Sequence, residues 1–431
     1  MITIRSWKRL ALLFGLGLLL SWLMGCGSGQ PTAQQSGPQA GQQEVEFWTM
    51  QLQPDFTPYF NQLIAEYEAQ NPGVQVRWVD VPWADMQSKI LTAVTAGTAP
   101  DVVNLNPDFA AQLAGRNAWL SLDGVVTEDQ RQVYLPNMWQ ASSLDNNSFG
   151  IPWYLTTNVT FYNQDILAEA GVDPPGTYAE LADVARQVKE KTGKYAYFTT
   201  FVPEDSADVL QSFVQMGVTL VDAQGQAAFD TPAGTAVFQY WTDLYQQDLL
   251  PKEVLTQGHR RAIELYQAGE VALLSTGAEF FPTIEANAPD IAAVTGSTAQ
   301  ITGQTGKQNV AVMNLVIPAA TETPEAAVDF ALFVTNNANQ LNFAKAANVL
   351  PSTAAALEDD YFTVSGEDTK GVEQARAVSA GQMNNAEVLI PAMDGVKELQ
   401  AIIYDNLQAA MLGQKTVEDA VSDAAAEWNN R

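Results

Sequence analysis

Short apolar runs that are typical of strands occur at residues 45–48, 74–79 and 101–105. Between them, apolar residues recur at helical spacing from Phe60 to Tyr67 and from Met86 to Val94. The alternation of strands with helices predicts a parallel sheet that is covered by helices. In such sheets, ligands bind beyond the carboxyl ends of the strands.

The same alternation resumes after Trp153, with strands predicted at residues 157–162, 271–275 and 310–317 and a strand-like stretch at 195–201. Helical spacing predicts further helices at residues 231–247, 261–268, 324–335 and 416–428. Another helix begins at Thr177, because Glu180 stands three residues later and completes a capping box. The body of the chain is therefore predicted to be α/β, and it contains no internal repeat.

The N-terminus has the pattern of an export signal. Three basic residues precede residues 10–24, an apolar stretch of 15 residues, which is shorter than the roughly 20 needed to span a membrane. The stretch ends in Leu23-Met24-Gly25-Cys26, which resembles the lipidation motif of bacterial lipoproteins. We expect a signal peptide at residues 1–25 and a lipid on Cys26; the alternative is a cysteine that stands there by chance. Residues 26–44 are predicted to form a flexible tether, because they are rich in Gly, Ser, Gln and Pro.

Composition excludes several classes of function. The 431 residues include 21 Lys and Arg against 49 Asp and Glu, a formal net charge of −28. Nucleic-acid binding rests on clustered basic residues, so this balance disfavours it, and it also disfavours highly anionic ligands. The single Cys excludes an internal disulfide, and the single His, His259, argues against a zinc site. We expect neither a metal nor a cofactor, and the absence of a Walker motif argues against ATP hydrolysis.

Segments along the whole body resemble the extracellular solute-binding proteins of bacterial ABC importers, in the maltose-type (family 1) sugar group. The most diagnostic segment is Gly97-Thr98-Ala99-Pro100-Asp101 with the helical residues before it. Other matching segments, in chain order, are residues 47–49, 71–76, 150–154, 174–178, 266–273, 350–353 and 413–420.

The resemblance implies a two-lobed periplasmic-binding-protein fold of type II, with hinge strands and a ligand cleft between the lobes. It implies a monomer that is not an enzyme and that docks on a permease pair served by a separate ATPase. It places the hinge crossings near residues 155–158, near 315–317 and at the end of the 350s. The lobes implied are 45–155 with 315–358, and 156–314 with 359–431.

Candidate ligand residues of the first lobe follow its strands. Trp48 and Gln51 come after the first strand, and Asn104, Asn106 and Asp108 come after the third. Aromatic faces stack on sugar rings, and amides or carboxylates pair with hydroxyl groups. Each residue also has an ordinary interpretation: a core tryptophan or a polar turn former.

A second group of candidates lies at the first hinge, where Trp153, Tyr154, Thr156 and Asn158 could form the floor of the cleft. The alternative is packing between the lobes.

The second lobe contributes a third group of candidates, which consists of Glu204, Asp205, Gly277, Glu279, Phe280 and Asp394. Solvated loop acids are the alternative for the carboxylates. Residues 259–261 are predicted to be a solvent-exposed helix face.

The favoured hypothesis is a lipoprotein on the outer face of the cytoplasmic membrane, facing the periplasm or the exterior, that captures a neutral sugar or glycoside for import. A protein of the same fold that binds glycerol phosphate or glycerophosphodiesters is the runner-up. Two hypotheses from other classes stay open: a secreted glycoside hydrolase that uses Asp108 and Glu279, and a surface lipoprotein that binds a partner protein.

Overall fold

The computed structural model describes residues 43–144, 147–203, 205–363, 370–390, 393 and 395–431. Of Pro107 and Asp108 it describes the backbone but not the side chains. The predicted signal peptide and Cys26 lie outside the described residues, as do nearly all of the tether, the side chain of Asp108, and Glu204 and Asp394.

The strands, in chain order, are β1 (Gln43–Met50), β2 (Val74–Val81), β3 (Val102–Leu105), β4 (Ser143–Leu144), β5 (Asn147–Ser148), β6 (Gly150–Asn163), β7 (Leu273–Gly277), β8 (Thr295–Ala299), β9 (Gln308–Val316), β10 (Leu350–Pro351) and β11 (Ala386–Glu387).

The helices, in chain order, are α1 (Thr57–Gln70), α2 (Trp83–Ala96), α3 (Pro107–Ala114), α4 (Glu128–Arg131), α5 (Pro136–Ala141), α6 (Gln164–Ala170), α7 (Tyr178–Thr192), α8 (Asp208–Gln215), α9 (Pro232–Gln246), α10 (His259–Gln267), α11 (Phe281–Asn287), α12 (Pro289–Ala293), α13 (Pro324–Val334), α14 (Asn337–Ala347), α15 (Ala354–Leu357), α16 (Gly371–Gly381), α17 (Val396–Met411) and α18 (Val417–Asn429).

The first lobe is built on a sheet with the strand order β10-β6-β9-β3-β1-β2. β1 runs parallel to both of its neighbours, as the sequence predicts, and β9 runs antiparallel to β3 and β6. Alternation along β1 sends Val45 and Phe47 to one face of the sheet and Trp48 and Met50 to the other. Helices cover both faces, so both sets of side chains are buried.

The second lobe is built on β6 with β7 and β8, which pair antiparallel to it on either side. Its core holds fully buried aromatic rings, among them Trp241 of α9, Tyr404 of α17 and Trp428 of α18. The two C-terminal helices therefore belong to this lobe.

β6 belongs to both lobes. Its residues 150–157 pair with β9 in the first sheet, and residues 158–163 pair with β7 and β8 in the second. One continuous strand therefore crosses between the lobes close to Thr157 and Asn158.

The later crossings can be placed by the cores. Val310 and Val312 of β9 lie in the core of the first lobe, so we propose that the second crossing lies near residue 308 rather than near 315. Phe362 packs in the core of the first lobe and Ala375 in that of the second, whereas Met383 and Ala386 pack again in the first. We therefore propose that this part of the chain passes between the lobes more than once.

Most predicted elements are confirmed, but three strands differ from the prediction. The predicted strand 157–162 is the second half of the much longer β6. The stretch at 195–201 forms a β-bridge only at its start, where Tyr195 bridges Val271. β7 begins two residues later than predicted, at Leu273.

None of the helices formed by the described residues is both long enough and apolar enough to cross a membrane.

Candidate functional site

The loop after β1 is held by a single carboxylate. Asp80 accepts hydrogen bonds from the Thr49 hydroxyl at 2.7 Å, the Leu52 amide at 2.9 Å and the Gln53 amide at 3.0 Å. Gln51, between these residues, is exposed and has a φ of 52°. The strand end therefore presents Gln51 on a fixed loop.

Trp48 lies in the core of the first lobe, where it is only 6% exposed. Its indole nitrogen donates to Glu46 at 2.7 Å, and the Lys89 ammonium lies 4.3 Å from its ring centroid. This environment corresponds to the alternative interpretation, a core tryptophan beneath α2.

Asn104, which lies within β3, and Asn106, which follows it, both have structural partners. Asn104 is fully buried, and its amide nitrogen lies 3.4 Å from the carbonyl oxygen of Asn314. Asn106 is the N-cap of α3, because its side chain accepts a hydrogen bond from the Phe109 amide at 2.8 Å.

Alternation along β6 separates the hinge candidates. Tyr154, Thr156 and Asn158 are partly exposed on one face of the strand. Trp153 is fully buried and stacks on Phe343 with ring centroids 4.8 Å apart. The hinge strand thus presents one phenol, one hydroxyl and one amide, while Trp153 packs within the first lobe.

The end of β7 meets this face. Gly277 is the register partner of Asn158, and a Cβ on Gly277 would lie only 2.1 Å from a carboxylate oxygen of Glu279. Burial raises the pKa of Glu279 to about 7. Burial also raises the pKa of Tyr154, and the charge of Glu279 adds to that effect. A side chain at position 277 would therefore have to displace the carboxyl group of Glu279.

Two further acidic residues, Asp205 and Asp208, lie near Asn158. Burial raises the pKa of Asp208, against the opposing influence of His259 and of hydrogen bonds from Ser206 and Asn158. Asp205 accepts a hydrogen bond from the backbone amide of His259 at 2.6 Å. These contacts join the α8 and α10 N-termini to the hinge strand.

His259 is not part of an exposed helix face, which corrects the prediction for residues 259–261. Its Nε2 lies 3.2 Å from the Thr276 hydroxyl, and its ring meets Phe280 edge-on at 6.5 Å. The exposed face is confirmed for Arg260, whereas Arg261 is partly buried and pairs with Glu253 at 2.9 Å. The sequence carried no signal for His259, because its partner Thr276 is brought to it only by folding.

A cavity of about 220 Å³ lies between the two lobes. The first lobe contributes Gln87, Phe109 and Gln112, with the two glutamine amides hydrogen-bonded at 3.1 Å. The second lobe contributes residues from the start of α17 and just before it: Met393, Gly395, Val396, Lys397 and Glu398. None of these was predicted, because no motif marks them and they meet only in the tertiary structure.

A protein-family comparison matches residues 53–341 to the bacterial extracellular solute-binding proteins. The chain belongs to this family. The resemblance predicted from the sequence is thereby confirmed, and so is the two-lobed α/β fold of the maltose-binding type.

Solved structures of two proteins illustrate the similarity of this solute-binding protein in fold. A candidate oligosaccharide periplasmic-binding protein from Synechococcus sp. MITs9220 is 46% identical, with a TM-score of 0.84 over 90% of this chain and 98% of that one. A second structure of the Synechococcus protein contains zinc. The cyclic α-maltosyl-1,6-maltose binding protein of Arthrobacter globiformis is 21% identical, with a TM-score of 0.76 over 90% of this chain and 99% of that one.

A curated relative extends the comparison. The arabinooligosaccharide-binding protein of Halalkalibacterium halodurans is 27% identical over 262 residues, which are 58% of this chain and 57% of that protein.

The described part of this solute-binding protein holds no group of three or more His, Cys, Asp or Glu side chains that could bind a metal ion. Of the predicted site residues within it, the structure gathers seven on or around the exposed face of the hinge strand and keeps the others apart. The seven are Tyr154, Thr156, Asn158, Asp205, Gly277, Glu279 and Phe280.

Proposed function

We propose that this solute-binding protein captures a neutral sugar or glycoside between its lobes, by hinge closure, and delivers it unchanged to the permease of an ABC importer. The observation that carries the proposal is the continuous strand β6, which crosses between the lobes and presents Tyr154, Thr156 and Asn158 on one partly exposed face. Hydroxyl, phenol and amide groups are the partners that sugar hydroxyls need.

The charge of this face supports a neutral ligand over a phosphate. Asp205, Asp208 and Glu279 lie on the second lobe around Asn158, with His259 as the basic side chain in contact with them. An anionic ligand would be repelled by those of the carboxylates that are ionised, and a carboxyl group that burial keeps protonated can still hydrogen-bond to a neutral sugar hydroxyl. The electrostatics therefore favour a neutral sugar over the runner-up, a glycerol phosphate or phosphodiester.

Closure is proposed to follow from contacts that both lobes make with the ligand. A ligand shifts the equilibrium between open and closed states only as far as it binds one state more tightly. Residues of both lobes line the cavity of about 220 Å³, so a molecule there contacts both at once.

Membrane attachment is proposed to occur through a lipid on Cys26, after removal of residues 1–25. Mass spectrometry of the N-terminal peptide tests this: we expect acylation at Cys26 and release of a Cys26→Ala variant from the membrane fraction. Retention of that variant would contradict the proposal.

Melting curves of the purified protein test the ligand class. We would compare maltotriose, arabinotriose, other neutral oligosaccharides and glycerol 3-phosphate. A ligand at about 100 times its dissociation constant stabilises the folded state by about 2.7 kcal/mol, which gives a clear rise in melting temperature. We expect a shift with a neutral oligosaccharide and none with the phosphate. Breakdown of the bound sugar during long incubation would favour a hydrolase instead.

A further inference from the structure

Trp83 is the most exposed tryptophan among the described residues, with 45% of its surface open to solvent. It follows Pro82 at the carboxyl end of β2 and is the first residue of α2. Ligands of α/β sheets bind beyond these strand ends. A large exposed ring that makes no contribution to a core therefore stands at the edge where ligand is expected.

The backbone at Trp83 is tied to the neighbouring strand end. Its amide donates to the side-chain oxygen of Gln51 at 3.3 Å. Gln51 lies in the left-handed backbone region, on the loop that Asp80 holds through three hydrogen bonds. The start of α2 and the end of β1 thus hold each other in place.

Trp83 lies on the same side of α2 as a residue that lines the cavity between the lobes. Residues four apart share a helix face, so Trp83 lies one turn before Gln87, which lines that cavity. Met86 and Ile90 are buried on the face that packs on the sheet. Trp83 therefore stands on the first lobe, one helical turn from the lining of the cavity.

We propose that Trp83 is the stacking surface of the first lobe for the sugar ligand, and that Gln51 positions it. This inference rests on the proposed function. An indole ring covers the C–H face of a sugar and also offers one N–H donor, so it suits a ligand that is apolar on one face and polar at its edge. Closure of the lobes would then bury a ring that is exposed in the structure described.

Binding measurements on the full-length protein test the stacking role. The probe is whichever of maltotriose and arabinotriose raises the melting temperature of the wild type more. We expect Trp83→Ala to raise Kd at least about tenfold and Trp83→Phe about threefold, because an aromatic face is kept in the second variant. Trp83→Phe should also reduce the ligand-induced change in tryptophan fluorescence.

The matched control is Leu91→Ala, which truncates another exposed apolar residue of α2. We expect its Kd to stay within about twofold of the wild type. If the wild type binds the sugar and the Kd of Trp83→Ala also stays within about twofold of the wild-type value, the proposed stacking role of Trp83 is wrong. If the wild type binds neither of these sugars nor any other neutral oligosaccharide of the melting comparison, the proposed function itself fails.

Two variants separate positioning by Gln51 from direct contact with the ligand. Gln51→Ala removes the acceptor for the Trp83 amide, and we expect Kd to rise about threefold. Gln51→Glu keeps an acceptor oxygen at the same reach, so it should restore binding close to the wild-type level. Equal losses in both variants would show that the amide group of Gln51 contacts the ligand, and the positioning role would be wrong.

Discussion

Glu279 shows how burial alone can set the protonation of a site residue. Its carboxyl group folds over Gly277 beside the hinge strand, and burial raises its pKa from 4.5 to about 7. The raised pKa means that the folded protein holds this proton more tightly than the unfolded chain does. Stability must therefore fall as the pH rises between these two values.

We expect the pH dependence of the unfolding free energy to show the protonation of Glu279. The contribution of Glu279 should decrease from about pH 5 to pH 7 and then level off, for a total loss of about 1–3 kcal/mol. Glu279→Gln should lack that decrease and be more stable than the wild type at pH 8. The control is Glu285→Gln, an exposed glutamate of α11. A Glu279→Gln profile parallel to the wild type would contradict the assignment.

Asp80 is the residue on which the loop after β1 depends, because its carboxylate accepts from Thr49, Leu52 and Gln53. Asp80→Asn leaves one acceptor oxygen and places an NH₂ group against a backbone donor. We expect a loss of about 1–3 kcal/mol in urea unfolding.

Asp183→Asn is the matched control for Asp80→Asn. It removes an exposed ion pair with Arg186, 2.7 Å long, and should cost less than about 1 kcal/mol. Equal effects of the two substitutions would show that the loop does not depend on Asp80.

At the scale of elements, local sequence patterns were sufficient to predict a helix or strand where that element is stabilised by its own residues. The capping box of α7 was predicted from Thr177 and Glu180, and the structure forms both of its hydrogen bonds. β6 is the opposite case. Its first half, which begins at Gly150, is stabilised as a strand by pairing with β9. The alternation at 157–162 predicted a strand but carried no information about that partner.

The capping box gives a prediction for α7. Thr177→Ala should lower the unfolding free energy by about 1 kcal/mol, because the Glu180 amide loses its acceptor. Thr177→Ser keeps the hydroxyl group and should recover most of that loss. If Ser and Ala are equally destabilising, the hydroxyl group is not what stabilises the helix start.

At the scale of the whole molecule, two cores share strand β6, which crosses between them. Relative motion of the lobes must therefore be absorbed by the few residues at the crossings, while each core moves as a unit. One contact between the lobes lies next to the first crossing, where the Asn348 side chain donates to the carbonyl oxygen of Ala278 at 3.2 Å.

Small-angle scattering measures this motion directly. We expect the radius of gyration to decrease when a neutral oligosaccharide that stabilises the protein is added, and to stay unchanged with glycerol 3-phosphate. Galactose at the same concentration is the control for solvent contrast, provided that it gives no melting shift. An unchanged radius with a bound oligosaccharide would contradict closure.

The candidate site could be predicted only in part, for reasons that individual residues make clear. Position after a strand predicted that Gln51 lies on the loop after β1, but it could not show that Trp48 faces the core under α2. Asn106 satisfied the same rule and caps a helix instead. Phe109 and Met393 line one cavity, although 284 positions separate them in the chain.

The α/β class and most helices and strands could be predicted from the sequence, because they depend on periodicity, caps and breakers within a few neighbouring residues. The family could be predicted from matching segments along the chain. The tertiary structure decided which polar side chains meet: His259 with Thr276, Glu279 with Gly277, and Gln87 with the start of α17. Such contacts depend on strand register and on which face a residue occupies. A shift of one residue along a strand reverses the face, and no local pattern records the partner across the cleft.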